Sequence, residues 1–244
     1  MKYFILFFFI SVVTAGKAQE VVNLILVGDK GVTENIMEAN AFIAVKKYPT
    51  YFQRLDYNLH APLKKVRNYT DSTLTVLEGN FYEYDVNGAL KISGNYVNNL
   101  KDKDWYFYND TGKVVLEEKY AQGILMTTVN PDTVTKEKSL EKNFVKVDQE
   151  ATFKKGNKDW IKYLSENVNG ELADKSVKGG MVRAGFMVNK VGKCVDIYIK
   201  KSVEFVLDEE IIRVIENSPL WHAAIREGKN VNAFRVQPLT FSKQ

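Results

Sequence analysis

Trp105–Tyr120 reads WYFYNDTGKVVLEEKY, and Phe81–Tyr96, 24 residues upstream, reads FYEYDVNGALKISGNY. The two segments match position for position. Phe81 pairs with Trp105, Tyr82 with Tyr106, Tyr84 with Tyr108, Gly88 with Gly112, Leu90 with Val114, Ile92 with Leu116 and Tyr96 with Tyr120. A fainter copy lies 27 residues above the first, where Tyr57 matches Tyr84, Leu63 matches Leu90, Lys64 matches Lys91 and Tyr69 matches Tyr96. A recurring period of this length marks a repeat architecture. Within each copy, alternating aromatics describe a strand, Asp-Val-Asn-Gly or Asn-Asp-Thr-Gly describes a turn, and an apolar run describes the returning strand. Glycine accepts the positive φ of such a turn because it has no Cβ to clash. Each unit is therefore a β-hairpin. A lone hairpin cannot bury a face, so stacked hairpins must supply one another's core. The repeated aromatics read as that core.

In its aromatic-tyrosine-turn-glycine pattern, the stretch from about Tyr57 to Gly123 resembles the MORN-type repeats, in a variant form. No basic cluster accompanies the aromatics, so the lipid binding often suggested for such repeats is not expected here.

Composition bounds the remainder. The chain has 244 residues, 45% hydrophobic and 26% charged, with a net charge of +4. That charge is small and unclustered, which argues against a nucleic-acid partner. The opening MKYFILFFFISVVTAGKAQE has an early lysine, an apolar run from Tyr3 to Val13 and small residues before Gln19. This is the layout of a signal peptide over residues 1–18, cleaved near Ala18. The run is interrupted by Lys17, Gln19 and Glu20, short of the roughly 20 apolar residues of a spanning helix. The single cysteine, Cys194, can form no disulfide within the chain and lies in an apolar run, where a buried inert thiol is expected.

Four segments follow: the signal peptide, a β-repeat domain over residues 19–122, a polar linker over 123–150 and a C-terminal domain over 151–244. Val21–Gly28 reads as a strand. The segment TENIMEANAFIAVKKY, with Thr33 at a helix-like start, predicts mixed helix and strand packed on the first hairpin. In the last domain, Trp160, Ile161, Leu164 and Val168 fall at helical spacing. Val182, Ala184, Phe186 and Val188 alternate on one strand face, Gly192 turns the chain, and Val195, Ile197 and Ile199 alternate on the way back. Asp208 is placed as the N-cap of a second helix, with Leu207 and Ile212 as its hydrophobic staple and Pro219 beyond its end. A last strand runs from Val231 to Phe241.

Several ordered residues in this region resemble the TonB C-terminal domain. They are Phe153 and Gly156 before WIKYL; Phe186, Val188, Gly192, Lys193 and Asp196; Leu207 and Asp208; Pro219, Trp221 and Ala224; and Gly228, Val231, Pro238 and Phe241. The resemblance covers residues 153–241 and implies a three-stranded antiparallel sheet packed on two helices. With the repeats, the expected class is α+β: an antiparallel hairpin-repeat meander followed by that domain. The resemblance also implies recognition by strand addition, in which the last strand offers unpaired backbone groups to an extended peptide. Carried to this chain, the partner-binding edge is Val231, Asn232, Ala233, Phe234, Arg235, Val236, Gln237, Pro238 and Leu239, with Pro238 ending the pairing because it cannot donate.

The expected function is that of an exported, non-enzymatic interaction module of the bacterial cell envelope or periplasm, binding a peptide of an envelope or outer-membrane protein. The same edge would serve a homodimer. The alternative is an energy transducer of the TonB family, coupling proton-motive force to outer-membrane transport. Against it stand only five unclustered prolines, where a transducer keeps a long Pro-rich spacer. The two histidines, His60 and His222, make no zinc-ligand spacing with Cys194, and no nucleophile motif or phosphate loop is complete. No catalytic residue, cofactor, metal or small-molecule substrate is expected.

Overall fold

The computed structural model describes residues 20–131, 147–154 and 156–243. The expected signal peptide and most of the expected linker lie outside the described residues. Ten strands form one antiparallel sheet: β1 (Glu20–Gly28), β2 (Gly31–Thr33), β3 (Ala39–Lys47), β4 (Phe52–Asn58), β5 (Leu63–Tyr69), β6 (Leu77–Tyr84), β7 (Leu90–Val97), β8 (Leu100–Tyr108), β9 (Val114–Ala121) and β10 (Ile124–Val129). Their order is β10-β9-β8-β7-β6-β5-β4-β3-β1-β2. Helix α1 (Asn157–Asn167), the single turn α2 (Leu172–Lys175), strands β11 (Gly180–Val188) and β12 (Cys194–Lys201) and helix α3 (Phe205–Glu216) follow. The chain ends with β13 (Ala224–Arg226), β14 (Lys229–Val231) and β15 (Ala233–Phe241). A second sheet has the order β12-β11-β15, and β13 and β14 pair with each other.

The expected α+β class, with three strands on two helices as its second half, is overturned. The molecule is mostly β, with 53% strand and 13% helix among the described residues. The physical reason lies in the first third of the chain. Residues 34–38, placed at the start of a helix by their spacing, form a tight turn in which Asn35 Oδ1 accepts the Met37 N–H. The following Ala41–Val45 run is paired on both sides, with β4 and with β1. The strand half of the expected mixed segment forms, and its successive residues Ala44, Val45 and Lys46 are all buried, so both faces of the strand are covered; the helical half does not form.

The repeat is real in register. Tyr57 faces Leu63, Tyr84 faces Leu90 and Tyr108 faces Val114, each beside a local irregularity in the pairing. The same turn closes three hairpins. Asp85 Oδ1 accepts the N–H groups of Asn87 and Ala89, Asn109 Oδ1 those of Thr111 and Lys113, and Asn189 Oδ1 those of Val191 and Lys193. Gly88, Gly112 and Gly192 all have φ near +80°.

The two faces of the long sheet do different things. On one, Phe81, Tyr96, Trp105 and Tyr120 pack ring to ring, with centroids 5.1–6.2 Å apart. The Trp105 indole lies over Gly94, where a Cβ would come within 2.2 Å of it, and only 2% of Trp105 is exposed. The indole N–H donates to Asn95 O at 3.2 Å. Phe81 and Trp105 are buried core, and the half-buried Tyr96 and Tyr120 rings flank them.

The other face docks the C-terminal elements, and one hydrophobic cluster runs through both, from Leu55, Tyr57, Leu63, Tyr84 and Leu90 to Phe186, Leu207, Ile211 and Phe241. Polar groups register the contact. The Tyr84 hydroxyl donates to Ile199 O at 2.8 Å, Ser202 N–H donates to Gly88 O at 2.8 Å, and Leu63 N–H donates to Ser202 Oγ at 2.8 Å. Tyr82 stacks on Tyr198 at 4.9 Å. Buried Lys46 forms an ion pair with Glu209.

At the centre is Asp208, fully buried. It is not the N-cap expected from the sequence, because Glu204 holds that position. Its carboxylate accepts Tyr57 OH at 3.0 Å, Ser202 OH and the Val203 N–H at 3.1 Å. Burial pushes its pKa up to about 7; the three donors pull the other way, and Glu209 adds to the rise.

Gly88 and Gly112 share a turn and a φ of +78°, but a Cβ at Gly88 would meet Ser202 O at 2.3 Å whereas one at Gly112 meets nothing within 4 Å. Gly112→Ala should cost the left-handed strain alone, about 1 kcal/mol. Gly88→Ala should cost at least about 3 kcal/mol in thermal or urea unfolding; equal losses would refute the docking contact. Asp208 carries a folded pKa above its unfolded one, so folding takes up a proton between about pH 4 and about pH 7. Its stabilisation is complete below that window and lost as pH rises through about 7. Asp208→Asn should remove this part of the pH slope, whose limit is about 1.4 kcal/mol per pH unit, as read by melting temperature across the window.

Candidate interaction edge

The nine residues expected to form the edge divide between two elements. Val231 ends β14 and faces Ala224 in the small hairpin. Asn232 lies between strands, its Oδ1 accepting the Lys190 N–H at 3.2 Å. Ala233 to Leu239 all lie in β15, which continues to Phe241. The edge is therefore shifted towards the C-terminus by two residues at each end. Among the described residues, no strand pairs with the outer side of β15.

The pairing of β15 with β11 runs through nine consecutive registered pairs, from Val188–Ala233 to Gly180–Phe241. Asn189 N–H donates to Lys193 O, towards β12. In an antiparallel sheet the backbone groups of successive residues point to alternate sides. Val188, Phe186, Ala184 and Val182 therefore bond β15, through their partners Ala233, Arg235, Gln237 and Leu239. The backbone groups of Phe234, Val236, Pro238 and Thr240 point away from the sheet. Proline falls where its missing N–H costs no ladder bond, and the Gln237 side-chain amide donates to the Pro238 carbonyl.

The other edge of this sheet, β12, is built differently. Its register with β11 breaks twice, at Arg183/Ala184 and at Gly185/Met187, and Asp196 sits at φ +51°. Such irregularities twist an edge out of line. Its Lys201 end also forms a bridge with Ala89 of the repeat sheet. The straight edge is β15.

Side chains alternate accordingly. Phe234 (48% exposed) and Val236 (37%) face outward with Pro238. On the inner side, the Arg235 guanidinium donates to Ala151 O and pairs with Glu150 at 3.0 Å. Gln237 Oε1 accepts the Trp160 indole N–H at 2.6 Å. An aromatic wall lies beneath, with Phe153–Trp160 at 5.1 Å, Trp160–Trp221 at 4.9 Å and Phe186–Trp221 at 5.6 Å. Trp160 and Leu164 are buried as the helical spacing suggests, but Ile161 is 57% exposed. Gly192 lets the Trp221 segment close, since a Cβ there would lie 2.0 Å from Trp221 O.

Residues outside the edge behave as structure. His222 exchanges backbone bonds with Thr152. Cys194 is buried and its thiol pKa is raised by burial. Among the described residues, no three His, Cys, Asp or Glu side chains gather as metal ligands, and no helix is long and apolar enough to cross a membrane. The sequence did not single out the groups that share the outer face with Phe234, namely Met181, Arg183, Tyr198 and Lys200. Odd-numbered residues of β11 alternate outward, which was legible, but their meeting with Lys200 depends on an irregular register that was not. Comparison with family models, with curated proteins and with solved structures finds no match for this chain.

Proposed function

We propose that the chain is an exported, non-enzymatic protein–protein interaction module of the bacterial cell envelope, binding an extended peptide of an envelope or outer-membrane protein as a fourth strand on β15. The observation that carries this reading is the outer edge of β15, interrupted at Pro238, whose groups at Phe234, Val236 and Thr240 have no strand beside them among the described residues. Each strand added to such an edge gains main-chain hydrogen bonds, and alternate side chains supply selectivity. Phe234 and Val236 would give the incoming strand apolar neighbours on the outer face. The resemblance of residues 153–241 to the TonB C-terminal domain points to the same kind of partner. In this reading the repeat sheet is scaffold.

The test uses substitutions chosen by direction. Arg235 N–H faces β11, so proline there breaks the sheet itself. Val236 N–H faces outward, so Val236→Pro removes one edge donor and leaves the β11 ladder whole. Immobilised wild-type chain should retain an envelope protein from membrane extract, with new amide-exchange protection at Phe234, Val236 and Thr240. Val236→Pro should weaken retention at least about tenfold without lowering the melting temperature by more than a few degrees. Protection that appears elsewhere, or retention indifferent to Val236→Pro, sinks the proposal. Protection that rises with the chain's own concentration, with no added extract, assigns the edge to a second copy.

A further inference from the structure

Where the repeat sheet meets the outer face of the small sheet, a half-open cleft of about 320 Å³ remains. One wall is the turn between β8 and β9, from Tyr108 to Gly112; the other is Met181, Arg183, Lys200 and Lys201; Ala89 and Leu90 complete it. Its charges do not balance. The acid on the rim, Asp110, is engaged by Lys91, and Lys201 Nζ donates to Asn87 O. Arg183 and Lys200 have no carboxylate within ion-pair distance among the described residues. Lys200 Nζ lies over the Phe234 ring, 5.6 Å from its centroid. Two cations have been set side by side, one of them half-buried, beside the apolar surface of Leu90, Met181 and Tyr108. Burial and the neighbouring guanidinium lower the Lys200 pKa, the response of an amine that lacks a counter-charge. Like charges brought together in a partly desolvated cleft favour an anion between them, and a guanidinium and an ammonium both bind oxyanions through charge-assisted hydrogen bonds.

We propose that this cleft is a binding site for a small organic oxyanion, an apolar or aromatic body carrying one carboxylate or phosphate. The oxyanion lies between Arg183 and Lys200, and the body lies against Leu90, Met181 and Tyr108. The volume is at the lower end of that of small-molecule sites. The site is built from side chains and uses none of the free backbone groups of β15.

The test is titration of the purified chain, followed by calorimetry and by NMR of the Arg183 and Lys200 side chains, with four probes: benzoate, phenyl phosphate, inorganic phosphate and benzyl alcohol. At least one aromatic anion should saturate and shift both side chains, and the preference between the two names the head group. Inorganic phosphate should bind more weakly than phenyl phosphate, and benzyl alcohol should not bind. Arg183→Gln, at an exposed position that leaves the fold unstrained, should weaken binding about tenfold or more. Lys200→Gln should do the same, with melting temperature as its folding control. The proposal is overturned if neither aromatic anion saturates by about 10 mM, if Arg183→Gln binds as wild type does, or if inorganic phosphate binds as tightly as phenyl phosphate.

Discussion

A carboxylate sealed from water joins the two halves of this molecule. Asp208 accepts hydrogen bonds from Tyr57, on the fourth strand of the repeat sheet, and from Ser202 and Val203, at the end of the small one. Ser202 is itself shared, since its oxygen accepts the Leu63 N–H while its hydroxyl donates to Asp208. Leaving a buried carboxylate without donors costs several kcal/mol, so these groups must assemble together or not at all. The constraint fixes which face of the hairpin stack is covered and at what register. Tyr57 and Tyr84, equivalent residues in successive repeats, thus take different partners: a carboxylate for one and the Ile199 carbonyl for the other.

That junction decides which edge of the small sheet stays open. Docking engages the β12 side, through the bridge from Lys201 to Ala89 and the bond from Ser202 to Gly88. The remaining edge, β15, has no strand beside it among the described residues and is braced from below by Trp160, whose indole N–H donates to Gln237. Open edges are an aggregation hazard that proteins commonly blunt with bulges, charges or proline. Here β12 carries the irregularities, and β15 carries a proline only near its far end. An edge kept straight over nine pairs is costly to leave unprotected, which is the physical reason for reading it as a place of contact.

What the sequence made legible was local chemistry. The motifs DVNGA, NDTGK and NKVGK each promise the same turn, and each forms it, because an Asx side chain and a glycine at fixed spacing close the loop without outside help. The degraded copy at Tyr57 was also legible, since its tyrosine and leucine occupy the same register as the full copies. The helix expected near Thr33 failed because Thr33 and Asn35 close a tight turn with their side chains, Asn35 N–H donating to Thr33 Oγ1 and Met37 N–H to Asn35 Oδ1, so the segment holds too few residues between two strands for a helical turn to offset its nucleation cost. Asp208 shows the limit most directly. A short acidic residue ahead of an apolar run suggests a cap, and its carboxylate does take the Val203 N–H. A third donor, Tyr57, lies 151 residues away in sequence, and no local pattern announces a contact of that span.

The same limit applies to the candidate site. The last strand was visible within two residues because a strand and its proline are local features. The cleft was not, because Arg183 and Lys200 become neighbours only through the irregular pairing of β11 with β12, and the cleft has a second wall only because a repeat turn arrives opposite them. Phe234 links the two places. Its backbone belongs to the open edge, and its ring lies beneath Lys200 and 6.1 Å from Tyr198, which stacks in turn on Tyr82 of the repeat sheet. An anion drawing Lys200 towards Arg183 would act on the amine that covers this ring. The hairpin stack, though scaffold in its aromatic core, thereby supplies one wall of a site and a rigid support for the other.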